Sequence, residues 1–157
     1  MKVLFIYPSN DPSYPLQLGA LSSYVKQNQH ESMLLPLKIA GTLQPEHYQK
    51  IKRSIKQFRP DYIGFSCYET AFPWVKKISS YIKKYWPKIK VIAGGYYATL
   101  APEEVISNKS IDIVCRGEGE FPLLELFNDP KRTAIDNLWI KKGNRVIKNP
   151  IRPLIEK

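Results

Sequence analysis

The chain has 157 residues, 43% hydrophobic and 24% charged, the size and balance of one soluble domain that buries its own core. No apolar run approaches the ~18–20 residues of a membrane span, and the opening MKVLFIYPSN lacks a signal peptide's cleavage region, so a cytoplasmic setting is expected. Two cysteines, Cys67 and Cys115, are too few for a disulfide scaffold or a thiolate metal site.

Short apolar runs alternate with helical patterns. Lys2–Tyr7 reads as a buried strand ended by Pro8. Leu18, Leu21 and Val25 recur at helical spacing. Glu31–Leu37 is a second, weaker strand, which Pro36 places near an edge or marks at its end. Tyr48, Ile51, Ile55 and Phe58 form a second helical stripe. Asp61–Ser66 is the third strand. Val75, Ile78, Ile82 and Tyr85 form a third helix between Pro73 and Pro87. Ile89–Ala93 is the fourth strand, ended by Gly94-Gly95. A short helix starts at Pro102 with Glu103 and Glu104 in its first turn. Ile111–Cys115 is the fifth strand and Phe121–Phe127 the fifth helix. Strict alternation of this kind predicts a flavodoxin-like α/β domain, a five-stranded parallel sheet of order 2-1-3-4-5. Leu138–Lys142 and Arg145–Lys148 flank the turn pair Gly143-Asn144, which predicts a C-terminal β-hairpin. The expected organisation is an α/β domain over 1–136, a hairpin over 137–148 and the start of a linker over 149–157.

The balance of 24 basic against 14 acidic residues, +10 in all, raises the question of a nucleic-acid partner. Lys76, Lys77, Lys83 and Lys84 on the third helix, and Lys50, Arg53 and Lys56 on the second, read as solvated outer faces. No RNP-type aromatic pattern, zinc finger or glycine-rich basic loop accompanies them. Specific nucleic-acid binding is therefore not expected.

Open parallel sheets bind ligands outside the carboxyl ends of their strands. Four loops meet there: Pro8–Gln17, Ser66–Phe72, Gly94–Ala101 and Arg116–Glu120. The first has no G-x-G-x-x-G, so a dinucleotide site is unsupported. The first and third strands end in Tyr7-Pro8 and Ser66-Cys67, without the clustered aspartates of a phosphoacceptor domain. Gly94-Gly95 allows close backbone approach. Tyr96, Tyr97 and Thr99 follow on the same rim. In Arg116-Gly117-Glu118-Gly119-Glu120 the two glutamates would repel a phosphate. They suit a ligand's amides or the cap of the next helix, and Arg116 can pair with one of them.

The stretches VIAGGYYATLAPEEVI (91–106) and IDIVCRGEGEFPLLEL (111–126), with PDYIGFS before them, resemble the cobalamin (B12)-binding domain of B12-dependent radical SAM proteins. The anaerobic magnesium-protoporphyrin monomethyl ester cyclase group shares this domain order. The resemblance spans essentially the whole chain. It implies a corrinoid at the carboxyl edge, lined by Ser66, Gly94, Gly95, Ala98, Thr99, Gly117, Glu118 and Gly119. Tyr97 joins them, at a position where the family often has histidine. Tyr96 replaces a proline, and Gln29 replaces a glycine after the first helix. His30 and His47 read as exposed loop residues, and no histidine ligand to cobalt is expected. The radical SAM motif C-x-x-x-C-x-x-C is absent. The resemblance thus implies that S-adenosylmethionine and a 4Fe–4S cluster belong to a radical SAM domain following the linker. The parent would be a methyltransferase or oxidative cyclase, and this chain alone would catalyse nothing. A corrinoid-free docking or substrate-recognition module is the alternative, motivated by two tyrosine rings able to fill the corrin space.

Overall fold

The computed structural model describes residues 1–10 and 15–153. β1 (Lys2–Ser9) pairs with β2 (Glu31–Lys38) on one side and β3 (Tyr62–Ser66) on the other. β4 (Lys90–Gly94) and β5 (Ile113–Cys115) extend the parallel sheet, giving the order 2-1-3-4-5. β2, with Pro36, is an edge strand, as expected.

The hairpin strands β6 (Leu138–Lys142) and β7 (Arg145–Lys148) continue this sheet. β6 pairs antiparallel with β5 through Ile113–Ile140, Val114–Trp139 and Cys115–Leu138. The sheet therefore has seven strands, not five. The reason is visible in sequence: Leu138, Trp139 and Ile140 are consecutive apolar residues, all buried. Such a run suits a strand covered on both faces, and it closes the edge that β5 would otherwise expose.

The helices are α1 (Leu16–Gln27), α2 (Pro45–Phe58), α3 (Phe72–Tyr85), α4 (Tyr96–Leu100), α5 (Pro102–Ser107) and α6 (Glu120–Asn128). The single fourth helix expected from Pro102 is preceded by α4. The break falls at Ala101, whose φ of −126° and ψ of 52° reflect the clash of a following proline with helical backbone.

Period-two alternation along the strands builds two cores. Leu4, Ile6, Ile63, Phe65, Val91 and Ala93 face α2, α3, α4 and α5. Val3, Phe5, Tyr62, Ile92, Ile113 and Cys115 face α1 and α6. Val75, Ile78 and Ile82 of α3 are wholly buried, and each such side chain stabilises the fold by about 1.5–3 kcal/mol.

Two surface expectations fail. His47 is buried, not exposed: Nδ1 accepts the Gln44 N–H at 2.9 Å, so Nε2 carries the proton donated to the Lys38 carbonyl at 2.9 Å. It is the inner half of a capping box at the start of α2. Lys83 is not on the solvated face. Its ammonium pairs with Asp112 at 2.5 Å and donates to the Ile89 carbonyl at 2.8 Å. The long stem lets it reach across the end of α3. Lys76, Lys77 and Lys84 are exposed as expected.

Candidate cofactor-binding site

A cavity of about 560 Å³ opens at the carboxyl edge of the sheet and runs down its α1/α6 face. Its walls take in Ser66 at the end of β3, Gly94, Gly95 and Thr99 after β4, and Gly117, Glu118 and Gly119 after β5. Seven predicted site residues thus meet in one place. Tyr97 and Ala98 do not line it. Ala98 is fully buried in the opposite core. The Tyr97 ring packs on Phe72 with centroids 5.2 Å apart, and its hydroxyl donates to Glu104 Oε2 at 2.6 Å. That bond, with minor help from partial burial and nearby carboxylates, pushes the phenol up to about 12. The cause of the divergence is helical: α4 starts at Tyr96, so Tyr97 and Ala98 turn inward while Thr99 and Leu100 return to the cavity.

Glycine makes the room. Gly95 has φ +91°, and a Cβ there would lie 2.8 Å from Ser66 Oγ and 2.9 Å from Cys67 N. Only a residue without a side chain fits that left-handed, crowded position. Gly64 does the same deeper in. A Cβ on it would sit 2.7 Å from the Phe5 ring, which instead lies against the strand as the cavity floor.

The rim is held by hydrogen bonds between loops. Thr99 Oγ1 donates to the Gly95 carbonyl at 3.0 Å and accepts the Gly117 N–H at 2.9 Å. The Asn137 side-chain amide donates to the Glu118 carbonyl at 3.0 Å. Arg116 makes no ion pair with Glu118 or Glu120; its guanidinium sits 5.0 Å from the centre of the Trp139 ring. Tyr68 and Tyr96 stand at the mouth, both exposed, rings stacked at 6.3 Å. Cys67, next to Ser66, is 1% exposed, and burial pushes its thiol up to about 12. Of the first loop, residues 11–14 lie outside the described residues.

Among the described residues no lysine or arginine lines this cavity, and the charged side chains are Glu118 and Glu120. The described lining is poorly suited to a polyphosphate, which needs convergent cationic or N–H donors. Sequence reasoning missed Gly64, Phe5 and Leu21 on the walls. Gly64 stood in the quoted strand motif, and a glycine inside a strand is itself a signal of close approach.

The family profile of the B12 binding domain matches residues 7–127. The chain belongs to the B12-binding domain family. It is homologous to the cobalamin domains of B12-dependent radical SAM enzymes. Over 99% of its length it is 28% identical to an uncharacterised methyltransferase of Pyrococcus horikoshii, covering 36% of that protein. Over 95% it is 25% identical to the cobalamin-dependent radical SAM methyltransferase TokK of Streptomyces tokunonensis, covering 22%. It is also 24% identical to the anaerobic magnesium-protoporphyrin IX monomethyl ester cyclase of Rubrivivax gelatinosus, covering 31%. The fold matches that of the cobalamin-dependent radical enzyme OxsB, with a TM-score of 0.72, 19% identity, 98% of this chain and 22% of that one. This B12-binding domain thus spans between about a fifth and a third of the relatives it matches.

Proposed function

We propose that the domain holds a corrinoid over the carboxyl edge of its sheet, with the nucleotide tail in the α1/α6-face cavity. The observation that carries this reading is the cavity itself, with Gly64 and Gly95 in its lining at positions where a Cβ would collide with Phe5 or with Ser66 and Cys67. Gly94, Gly95 and Gly119 give the ligand room, Ser66 offers a hydroxyl, and Glu118 and rim backbone groups face the corrin amides. Tyr97 supports the cavity wall from behind rather than touching the cofactor. Bound cobalamin supplies radical or group-transfer chemistry. The residues of this chain bind, orient and shield it. Tyr97 being turned away removes half the motive for a corrinoid-free module.

The partner is a radical SAM domain that carries S-adenosylmethionine and the 4Fe–4S cluster, in a methyltransferase or oxidative cyclase. Its support is the small share of each relative that this domain covers. A cytoplasmic setting agrees with two free, buried thiols, and no described helix is long and apolar enough to cross a membrane.

Equilibrium dialysis against hydroxocobalamin tests the reading. Retention with a shifted visible spectrum is expected, and Gly95→Val should abolish it. Equal retention by the variant, once shown to be folded, would refute the placement.

A further inference from the structure

A second groove, of about 720 Å³, crosses the opposite edge of the sheet. It runs over the amino ends of β3, β4 and β5 and the carboxyl end of β6. Lys88, Lys90, Lys131, Arg132, Lys141 and Lys142 line it, against two carboxylates, Asp61 and Asp112. Both carboxylates are committed. Asp112 accepts the Val91 N–H at 2.7 Å and pairs with Lys83 at 2.5 Å and Lys90 at 3.7 Å. Asp61 accepts the Lys2 N–H at 2.8 Å. Lys141 donates to the Asn108 carbonyl at 2.5 Å, and Arg132 pairs with Glu125 at 3.2 Å. The ammoniums of Lys88, Lys131 and Lys142 are left over, exposed and without an ion-pair partner among the described residues.

The floor between them is apolar, formed by Tyr62, Ile89, Ile113, Leu126 and Ile140. At its inner end partial burial, opposed by Asp112 and aided by Lys83, pulls the Lys141 ammonium below its ordinary range. Three spaced cations around an apolar floor differ from a phosphate cradle, which needs convergent donors on one small anion. Among the described residues the two cavities also differ in charge: no lysine or arginine lines the carboxyl-edge cavity, and six line this groove.

We propose that the amino-edge groove docks an acidic protein segment, apolar side chains on the floor and carboxylates on Lys88, Lys131 and Lys142. Docking there leaves the opposite edge open, so partner and cofactor can be held together. The proposal does not depend on which ligand the carboxyl-edge cavity takes.

The probe is a short fluorescein-labelled peptide of glutamates interrupted by leucines, followed by anisotropy. The combined Lys88→Glu, Lys131→Glu, Lys142→Glu variant should bind it at least about tenfold more weakly, the sum of three modest charge contacts. A control with the same charge change on outer helix faces, Lys52→Glu, Lys56→Glu, Lys77→Glu, should bind as the parent does. Lysine-to-glutamine versions of both triples repeat the test without charge reversal. Equal weakening by groove and control variants would reduce the effect to net charge and overturn the proposal. A thymidine oligonucleotide of equal charge that binds more tightly than the peptide, and loses binding with the groove lysines, would also overturn it.

Discussion

The Thr99 hydroxyl stands between two glycine loops, donating to Gly95 and accepting from Gly117 N–H at 2.9 Å. One side chain thus fixes the spacing of the β4 and β5 rims, which carry most of the cavity mouth. Thr99→Val keeps the shape and removes both bonds. A net hydrogen bond contributes about 1 kcal/mol. Hydroxocobalamin affinity should fall about fivefold by dialysis, while Thr99→Ser stays near the parent value.

Gln29 closes α1 in the conformation of the glycine it replaces. Its φ is +64°. The His30 N–H reaches the Val25 carbonyl at 3.3 Å and the Gln29 N–H reaches Lys26 at 3.2 Å, the two bonds of a Schellman ending. A side chain in the left-handed region costs about 1 kcal/mol that glycine does not incur. Gln29→Gly should therefore stabilise the domain by about 1 kcal/mol, raising the melting temperature by about 2–4 °C. No rise on thermal denaturation would mean that glycine's greater freedom in the unfolded chain cancels the relief.

The same residues show what was legible in sequence. Leu138–Lys142 and Arg145–Lys148 were readable to the residue, because alternation and Gly143-Asn144 are local signals. Their joining the main sheet was not, since that depends on β5 needing a partner. The seven cavity residues were named through the family resemblance carried by Gly94-Gly95 and Arg116–Glu120; small residues at strand ends agree with it but do not single them out. Tyr97 misled because the phase of α4, set by Tyr96 as its first residue, decides which rings face inward. His47 and Lys83 misled because their partners, Lys38, Ile89 and Asp112, come from other elements.

Both thiols are silent groups. Burial pushes Cys67 and Cys115 up to about 12, from an unfolded value near 9. A folded-state value above the unfolded one means that the native protein holds more protons at high pH. The resulting stability is fully present below about pH 9 and is lost as pH rises towards 12. Urea midpoints should therefore fall on the alkaline side of pH 9. Cys67→Ala with Cys115→Ala should be less stable at neutral pH but show a shallower alkaline decline. A thiol reagent at pH 8 should label neither residue before unfolding and both after; rapid labelling of native protein would contradict their burial.

Asn137 binds the cavity rim to the outgoing chain. It is 2% exposed, with φ +72°. Its carbonyl accepts from Arg116 N–H at 2.9 Å and its side-chain amide donates to the Glu118 carbonyl at 3.0 Å. On the other side, Oδ1 accepts the Arg152 N–H at 2.8 Å and its own N–H donates to Pro150 at 2.7 Å. Asparagine suits the position twice over, tolerating the left-handed region and offering both a donor and an acceptor. Asn137→Ala removes the side-chain bonds to the Glu118 carbonyl and the Arg152 N–H, and leaves the left-handed φ to a residue without asparagine's tolerance of it. The expected loss is about 2–4 kcal/mol in urea unfolding. Asn137→Gly keeps the backbone at ease and loses only the side-chain bonds, so about 1–2 kcal/mol is expected. Both should weaken hydroxocobalamin retention, because both free the Gly117–Gly119 loop from the segment that leaves β7. If alanine and glycine cost the same, backbone strain at Asn137 contributes nothing and its hydrogen bonds carry the whole effect.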